Sequence, residues 1–492
     1  MKILIQNLGS IKNNKQVIDL NKNFYVFVGD NNSGKTYVSQ LLWTVFNAEV
    51  IQKFSEQVET TLDFENSKSV FEITRELLDD LLDKYSRFLK KELANTFNIE
   101  DTPYTETILG KFSIKFDYNW QELEAKEMEV ISNISTEDSE DFELFVLNKK
   151  AKSSMFSFED KDLGTFFKNI PAKHKRRINA DIPELKKTAF VGAVIQLLLN
   201  HNHSTLFLPA NRSFYATFYQ YIYEIERERR EKDVLELIRL IEKNGNKKSE
   251  KLKNLSLFKR PYTQPVSNLF EKIFDLNKEI NISNHYTSLL EKLMNVMGGD
   301  IEMNSLEGVS MLNFTFKINK TNKELPMYMS SSSVNQLTLL YLYFKYWAEE
   351  KANFLMLDEP EENLNPKNQI KLLDVLIQFA NLNDNKVLIT THSPILADTI
   401  NNYVYLDVVK NKFGTEAIKF IDENGLKFLS PEISIAKEKV GVYFFDGKQI
   451  IDYQSNEYGA YFRDFKNVSD GIENNARLMT DFIYLKEQQE NG

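Results

Sequence analysis

The sequence predicts an α/β fold, a mixed sheet with flanking helices built around a phosphate-binding loop and interrupted by a large, mainly helical insertion. Three observations predict it. Residues 29–36 read Gly-Asp-Asn-Asn-Ser-Gly-Lys-Thr, a complete G-x-x-x-x-G-K-[ST] loop, with the strand-length apolar run Phe24–Val28 before it and Thr36–Phe46, apolar at helical spacing, after it. Near the other end, Asn353–Asp358 and Lys386–Thr390 are continuous apolar runs of the kind buried on both faces of a parallel sheet. Between these halves the chain turns highly charged and helix-favouring.

Taken in order, residues 1–48 supply strands at Ile3–Ile5, Val17–Leu20 and Phe24–Val28, then the phosphate loop and its helix. Residues 49–200 form the mainly helical insertion, with charged stretches such as Val70–Leu93 and one strand-like run, Phe112–Tyr118; heptads do not persist, which argues against a long rod. Residues 201–215 return to core character in Thr205-Leu-Phe-Leu-Pro-Ala-Asn-Arg212. Residues 216–298 are a second helical insertion, with Asn244-Gly-Asn-Lys-Lys as its loop tip. Residues 299–425 complete the nucleotide unit, beginning with the strand-like Met311–Ile318. Residues 426–492 are an extension, opened by the Asp446-Gly447 hairpin signature, that offers a surface to a partner.

Composition narrows the class. A chain of 492 residues with 42% apolar content can bury more than one core. There is no cysteine, hence no disulfide, thiolate metal site or catalytic thiol, in keeping with a reducing, cytoplasmic setting. The N-terminus enters a strand directly, without a secretory leader, and no apolar run reaches the ~18–20 residues of a membrane span. A formal charge of −10 argues against coating nucleic acid; the basic stretches Lys173-His-Lys-Arg-Arg177 and Lys247–Arg260 read first as solvated faces and leave DNA contact as a local option.

The candidate site residues follow from chemistry. Gly29 and Gly34 let the loop turn its N–H groups inward, so that Asn31, Asn32, Ser33 and Gly34 face a phosphate; Lys35 reaches the β and γ oxygens and Thr36 can ligate Mg²⁺. The run Phe354–Leu357 delivers Asp358 and Glu359 at its carboxyl end, where open parallel sheets bind ligands: Asp358 to hold Mg²⁺ through its water shell, Glu359 to polarise an attacking water. His392, in Thr-Thr-His-Ser-Pro, stands at the end of a second core strand, within reach of a γ-phosphate. Ser330–Ser333 open the helix Leu337–Trp347 and make a second anion site. One fold does not easily bring two helix N-termini to one triphosphate, so this second site is expected to close over the nucleotide of another copy. His174, His201, His203, His285 and His392 are the only histidines, and none pairs with acids at metal-site spacing, which speaks against a self-contained nuclease.

Phosphate loop, insertion, serine-rich signature, Leu-Asp-Glu-Pro and Thr-His-Ser-Pro, in that order, resemble the ABC-type ATPases of the SMC, RecF and OLD group over residues 1–48, 205–215 and 300–410. Leu208-Pro-Ala-Asn-Arg212 and Asp-Glu-Pro-Glu-Glu-Asn-Leu-Asn-Pro most resemble the ATPases of bacterial anti-phage systems, the Septu ATPase first and the PARIS ATPase next. The resemblance implies ATP and Mg²⁺ as ligands, slow ATP hydrolysis, head-to-head homodimers or higher oligomers, and a separate effector nuclease of HNH or Toprim type. Its alternative is DNA repair or DNA-end sensing of the RecF or SMC kind. Carried over, Glu359 and His392 are catalytic, Thr36 and Asp358 hold the metal, and Ser331, Ser332 and Ser333 match the signature. The usual signature glycine is missing here. The usual glutamine is also not obvious; Asn211 or Arg212, at the end of a core strand, stands in its place, and Arg212 is assigned to the nucleotide.

Overall fold

The computed structural model describes residues 1–135, 141–161, 172–200, 204–218, 262–276, 282–305, 312–321, 323–427, 429–453, 455–456 and 459–490, with scattered residues between 221 and 235. The expected loop tip at 244–248, the basic stretch 247–260, and His201 and His203 lie outside the described residues, as do the side chains of the basic stretch 173–177.

Strands β1 (Lys2–Gln6) and β2 (Val17–Asp19) pair antiparallel, and β3 (Phe24–Gly29) runs through the phosphate loop into α1 (Lys35–Phe46). Next come α2 (Ala48–Gln57), β4 (Lys68–Glu72), α3 (Arg75–Thr96), α4 (Pro103–Leu109), β5 (Ser113–Asp117), α5 (Trp120–Ala125), β6 (Met128–Ser135), β7 (Asp141–Lys149), β8 (Met155–Asp160) and α6 (Ala172–Leu199). Then follow β9 (Thr205–Leu208), α7 (Ser213–Thr217), α8 (Gln264–Asp275), α9 (Thr287–Met297), β10 (Gly299–Ser305), β11 (Leu312–Ile318), β12 (Glu324–Pro326) and α10 (Ser332–Leu342). The chain closes with β13 (Phe354–Asp358), α11 (Pro366–Asn381), β14 (Lys386–Thr391), α12 (Pro394–Asn424), β15 (Val440–Phe445), β16 (Ile450–Asp452) and α13 (Arg463–Glu490).

The centre is a sheet of order β16-β15-β3-β14-β13-β9, parallel except for β16. Alternation along its strands explains why β3 and the middles of β13 and β14 are apolar on both faces. Tyr25, Phe27, Phe354 and Met356 pack into one core with α1, α2 and α3, while Phe24, Val26, Val28, Leu355 and Leu357 pack into a second core with α9, α10 and α11. The expected fold class, a mixed sheet with flanking helices and an insertion, is the one observed.

Helix α3 shows how the insertion is tied to this frame. Thr74 caps it by accepting from the Leu77 N–H, and Leu78, Leu81, Leu82, Tyr85, Leu89 and Leu93 bury one stripe at helical spacing. From that stripe the Tyr85 hydroxyl donates to the Val45 carbonyl of α1 at 2.8 Å.

Two expectations need correction. The insertion is less helical than its charge suggests: β4, β8, β7 and β6 form an antiparallel sheet, and β5 pairs with β1 rather than standing alone. These strands are short and wet on one face, as in the alternating burial of Met155–Asp160, so their polar half reads as helix-favouring charge. The Asp446-Gly447 hairpin is present, but β15 also pairs in parallel with β3, so an extension starting at 426 takes a strand away from the central sheet.

Gly29 is where β15 and β3 meet. Its φ is +140°, and a Cβ there would lie 2.1 Å from the Phe445 carbonyl oxygen, a main-chain atom with no freedom to yield. Gly29→Ala is therefore expected to cost about 3 kcal/mol or more in chemical denaturation. Gly447→Ala, also at positive φ (+86°) but facing open space, is expected to cost about 1 kcal/mol. Equal shifts for the two variants would contradict this account of the β3–β15 junction.

Candidate functional site

The site forms where β3, β13 and β14 end together. Parallel register aligns Asp358 with Thr390, and Thr391 with Val28, so three carboxyl ends open on one edge. Asp358 joins them: its Oδ2 accepts from Thr36 Oγ1 at 2.9 Å and its Oδ1 from Thr390 Oγ1 at 2.5 Å. The expected metal pair, Thr36 and Asp358, is thus brought into contact across 322 residues of sequence.

The phosphate loop has the backbone that the pattern requires. Gly29, Asn32 and Gly34 all lie at positive φ, and a Cβ on Gly34 would come within 2.9 Å of Ser10 Oγ. Lys35 is buried, and its ammonium donates to the Gly29 and Asp30 carbonyls at 3.0 and 2.8 Å, holding the loop closed on itself. Burial lowers its pKa, with Glu359, Asp358, Asp30 and Glu361 pulling the other way. Among the described residues Ser33 Oγ is buried without a hydrogen-bond partner. An orphaned hydroxyl at this place, beside Lys35 and the Thr36–Asp358 pair, fits a nucleotide phosphate and a divalent cation of the Mg²⁺ type. Asn31 and Asn32 are exposed on the same loop.

Glu359 sits at φ +46°, a costly backbone for a non-glycine residue. Its N–H donates to the Thr390 carbonyl and Thr390 Oγ1, both at 3.1 Å, which fixes that turn. Its carboxylate is 3.7 Å from His392 Nε2. Burial, then the charges of Asp358, Glu361 and Glu362, raise its pKa, the direction that suits a general base. Burial and the Lys35 charge lower that of His392, which favours the neutral imidazole, a ring that can both donate and accept.

The residues predicted from sequence do not include Thr390, Glu361, Glu362 or Gln336. Glu361 accepts from Thr391 Oγ1 at 2.6 Å and from the His392 N–H at 2.9 Å, which orients the histidine turn. The acidic run after Asp358 was the available signal for it. Arg212 needs correcting as a nucleotide ligand: it is 1% exposed, and its guanidinium donates to four main-chain carbonyls, those of Pro209, Gln336, Asp358 and Glu359. Ser331 caps α10 by accepting from the Val334 N–H and shares a 2.8 Å hydrogen bond with Ser333; Ser331 and Ser332 are exposed. Among the described residues no hydrogen bond joins Ser331–Ser333 to the phosphate loop, no cluster of three or more His, Asp or Glu is placed to hold a metal, and no helix is long and apolar enough to cross a membrane.

A parallel sheet with a phosphate loop after one strand and an Asp-Glu pair after another defines a P-loop ATPase. Residues 1–397 match the family model described as AAA ATPase domain, and the chain belongs to that family. No curated protein matches it. Among solved structures, the chain is similar to the Smc head domain with an extended coiled coil bound to the C-terminal domain of ScpA from Pyrococcus furiosus: 12% identity, 96% of this chain and 98% of that one covered, TM-score 0.30. A SmcHead bound to the C-winged helix domain of ScpA gives 12%, 94%, 98% and 0.32, and the SMC head domain from Thermotoga maritima 10%, 92%, 98% and 0.29. Scores of this size carry no weight beside the family match and the site itself.

If Glu359 is the base, turnover requires its carboxylate deprotonated and is lost as pH falls through a pKa above the ordinary value. Glu361→Gln removes one of the charges that raise it. The acid limb of kcat is therefore expected to move to lower pH in that variant; an unmoved limb, or one shifted upward, would count against Glu359 as the titrating group.

Proposed function

We propose that this ATPase closes as a homodimer, or a higher oligomer built from such dimers, around ATP and Mg²⁺ through its nucleotide-binding heads. In that closed form it holds or restrains a separate effector nuclease, of HNH or Toprim type, in anti-phage defence, and does not itself cut nucleic acid. The observation that carries the reading is the exposed N-terminus of α10. Ser331 and Ser332 face outward, flanked by Tyr328 (71% exposed) and Met329 (61% exposed), an apolar rim beside an anion-binding helix start. Such a surface is suited to the triphosphate edge of a second copy.

The division of labour follows from the site. Asn31 to Gly34 offer N–H groups to the phosphates, Lys35 releases its two loop carbonyls to bind β and γ oxygens, and Thr36 with Asp358 would hold the cation. Bound Mg²⁺ supplies charge neutralisation on the phosphate oxygens. Glu359 takes the proton of the attacking water, while His392, oriented through Glu361, senses the γ-phosphate. Serine in place of the signature glycine keeps two backbones further apart, in keeping with slow turnover.

Glu359→Gln removes the base and keeps the shape of the side chain. With ATP and Mg²⁺ it is expected to elute as a stable dimer by size-exclusion chromatography with light scattering; a strictly monomeric profile would contradict the reading. The purified chain is expected to leave plasmid DNA intact with Mg²⁺ or Mn²⁺. Cleavage there, abolished by a site variant, would reassign the nuclease to this chain.

A further inference from the structure

Arg212 and Gln336 tie two parts of the site together reciprocally. From the turn after β9, Arg212 donates through Nε to the Gln336 carbonyl of α10 at 3.0 Å. Its Nη1 reaches the Asp358 carbonyl at 2.8 Å and its Nη2 the Glu359 carbonyl at 3.2 Å. Returning from α10, the Gln336 side chain donates to the Ala210 carbonyl at 2.9 Å and to Glu362 Oε2 at 3.0 Å, and accepts from the Ser213 N–H at 3.2 Å. Both side chains are buried, Gln336 completely.

A guanidinium at this depth is ordinarily justified by a carboxylate partner. Here it binds carbonyls of the catalytic turn, and burial lowers its pKa to about 10, so it stays charged at neutral pH. The planar fork reaches carbonyls on α10 and on the catalytic turn at once, a geometry lysine cannot reproduce. Glu359 occupies a strained backbone at φ +46° that persists only while its surroundings hold it. Helix α10 therefore cannot shift along its axis without pulling, through Arg212, on the residue that carries the base.

We propose that Arg212 is a positioning residue that relays the docking of a second copy at the α10 N-terminus to Glu359, so that hydrolysis waits for the closed dimer. This rests on the composite-site reading above, which the elution of Glu359→Gln decides separately.

The test is a double-variant cycle on turnover. Ser332→Trp places a bulky side chain at an exposed position and blocks docking without touching the buried knot. Arg212→Lys is expected to lower kcat about tenfold in the otherwise native chain, with ATP affinity little changed, and to cause no further loss in the Ser332→Trp background. The same fractional loss in both backgrounds would make Arg212 a support of the site independent of docking and overturn the proposal, as would native turnover of Arg212→Lys. Where thermal melting shows that Arg212→Lys does not fold, Gln336→Met, which keeps the volume and removes the return hydrogen bonds, takes its place under the same two outcomes.

Discussion

The constraint on which the rest of the molecule depends is the single carboxylate of Asp358, held by Thr36 on one side and Thr390 on the other. Those hydroxyls stand at the ends of segments that the chain order places far apart. Only the register of β13 against β14, and of β14 against β3, brings them to one edge. The sheet has to be parallel for this, because only then do all three carboxyl ends point the same way. It has to be covered on both faces, because residues 354–358 bury every position. The two cores on either side are thus the means by which three side chains meet, and Gly29, with no room for a side chain against Phe445, sets how closely the fourth strand can approach.

Around that carboxylate the electrostatics run in one direction. Asp358, Glu361 and Glu362 crowd the loop around Glu359, and each raises the cost of charging it, while Lys35 is the counter-charge that such a cluster requires. The acids have different partners: Asp358 two threonines, Glu361 the histidine turn, Glu362 the helix α10 through Gln336. Glu359 is the member whose carboxylate faces the imidazole of His392, and its backbone is the strained one. A freely relaxing loop would not keep it there. The strain is balanced by Thr390 on its N–H and Arg212 on its carbonyl.

What the sequence made legible was local. Phe24–Gly29, the phosphate loop and α1 are contiguous, and their chemistry is written in eight residues; residues 354–358 and 386–391 announce themselves by continuous burial. Thr36 and Asp358 were legible because each belongs to a spaced pattern. The role of Arg212 is not legible in the sequence because its partners are carbonyls up to 147 residues away, and main-chain carbonyls leave no mark there. Thr390 reads in the sequence as one more β-branched strand residue. The sheet in the insertion was hidden because one polar face halves its apolar signal, and β15 because a strand that joins the core sheet after a long helix looks like any terminal hairpin.

The central claim is that the serine-capped helix of one copy completes the phosphate loop of another. Mixing two disabled chains tests it most directly: Lys35→Ala, which lacks the phosphate cation but keeps its α10 surface, and Ser332→Trp, which keeps the cation but cannot dock. Lys35→Ala alone is expected to be nearly inactive and Ser332→Trp alone to keep only the slow, measurable turnover of an undocked head, and the mixture to exceed the sum of the two, because a mixed dimer holds one site built from the intact half of each chain. A mixture no more active than the sum of its parts, or a Ser332→Trp chain that turns over ATP like the native one, would contradict the account.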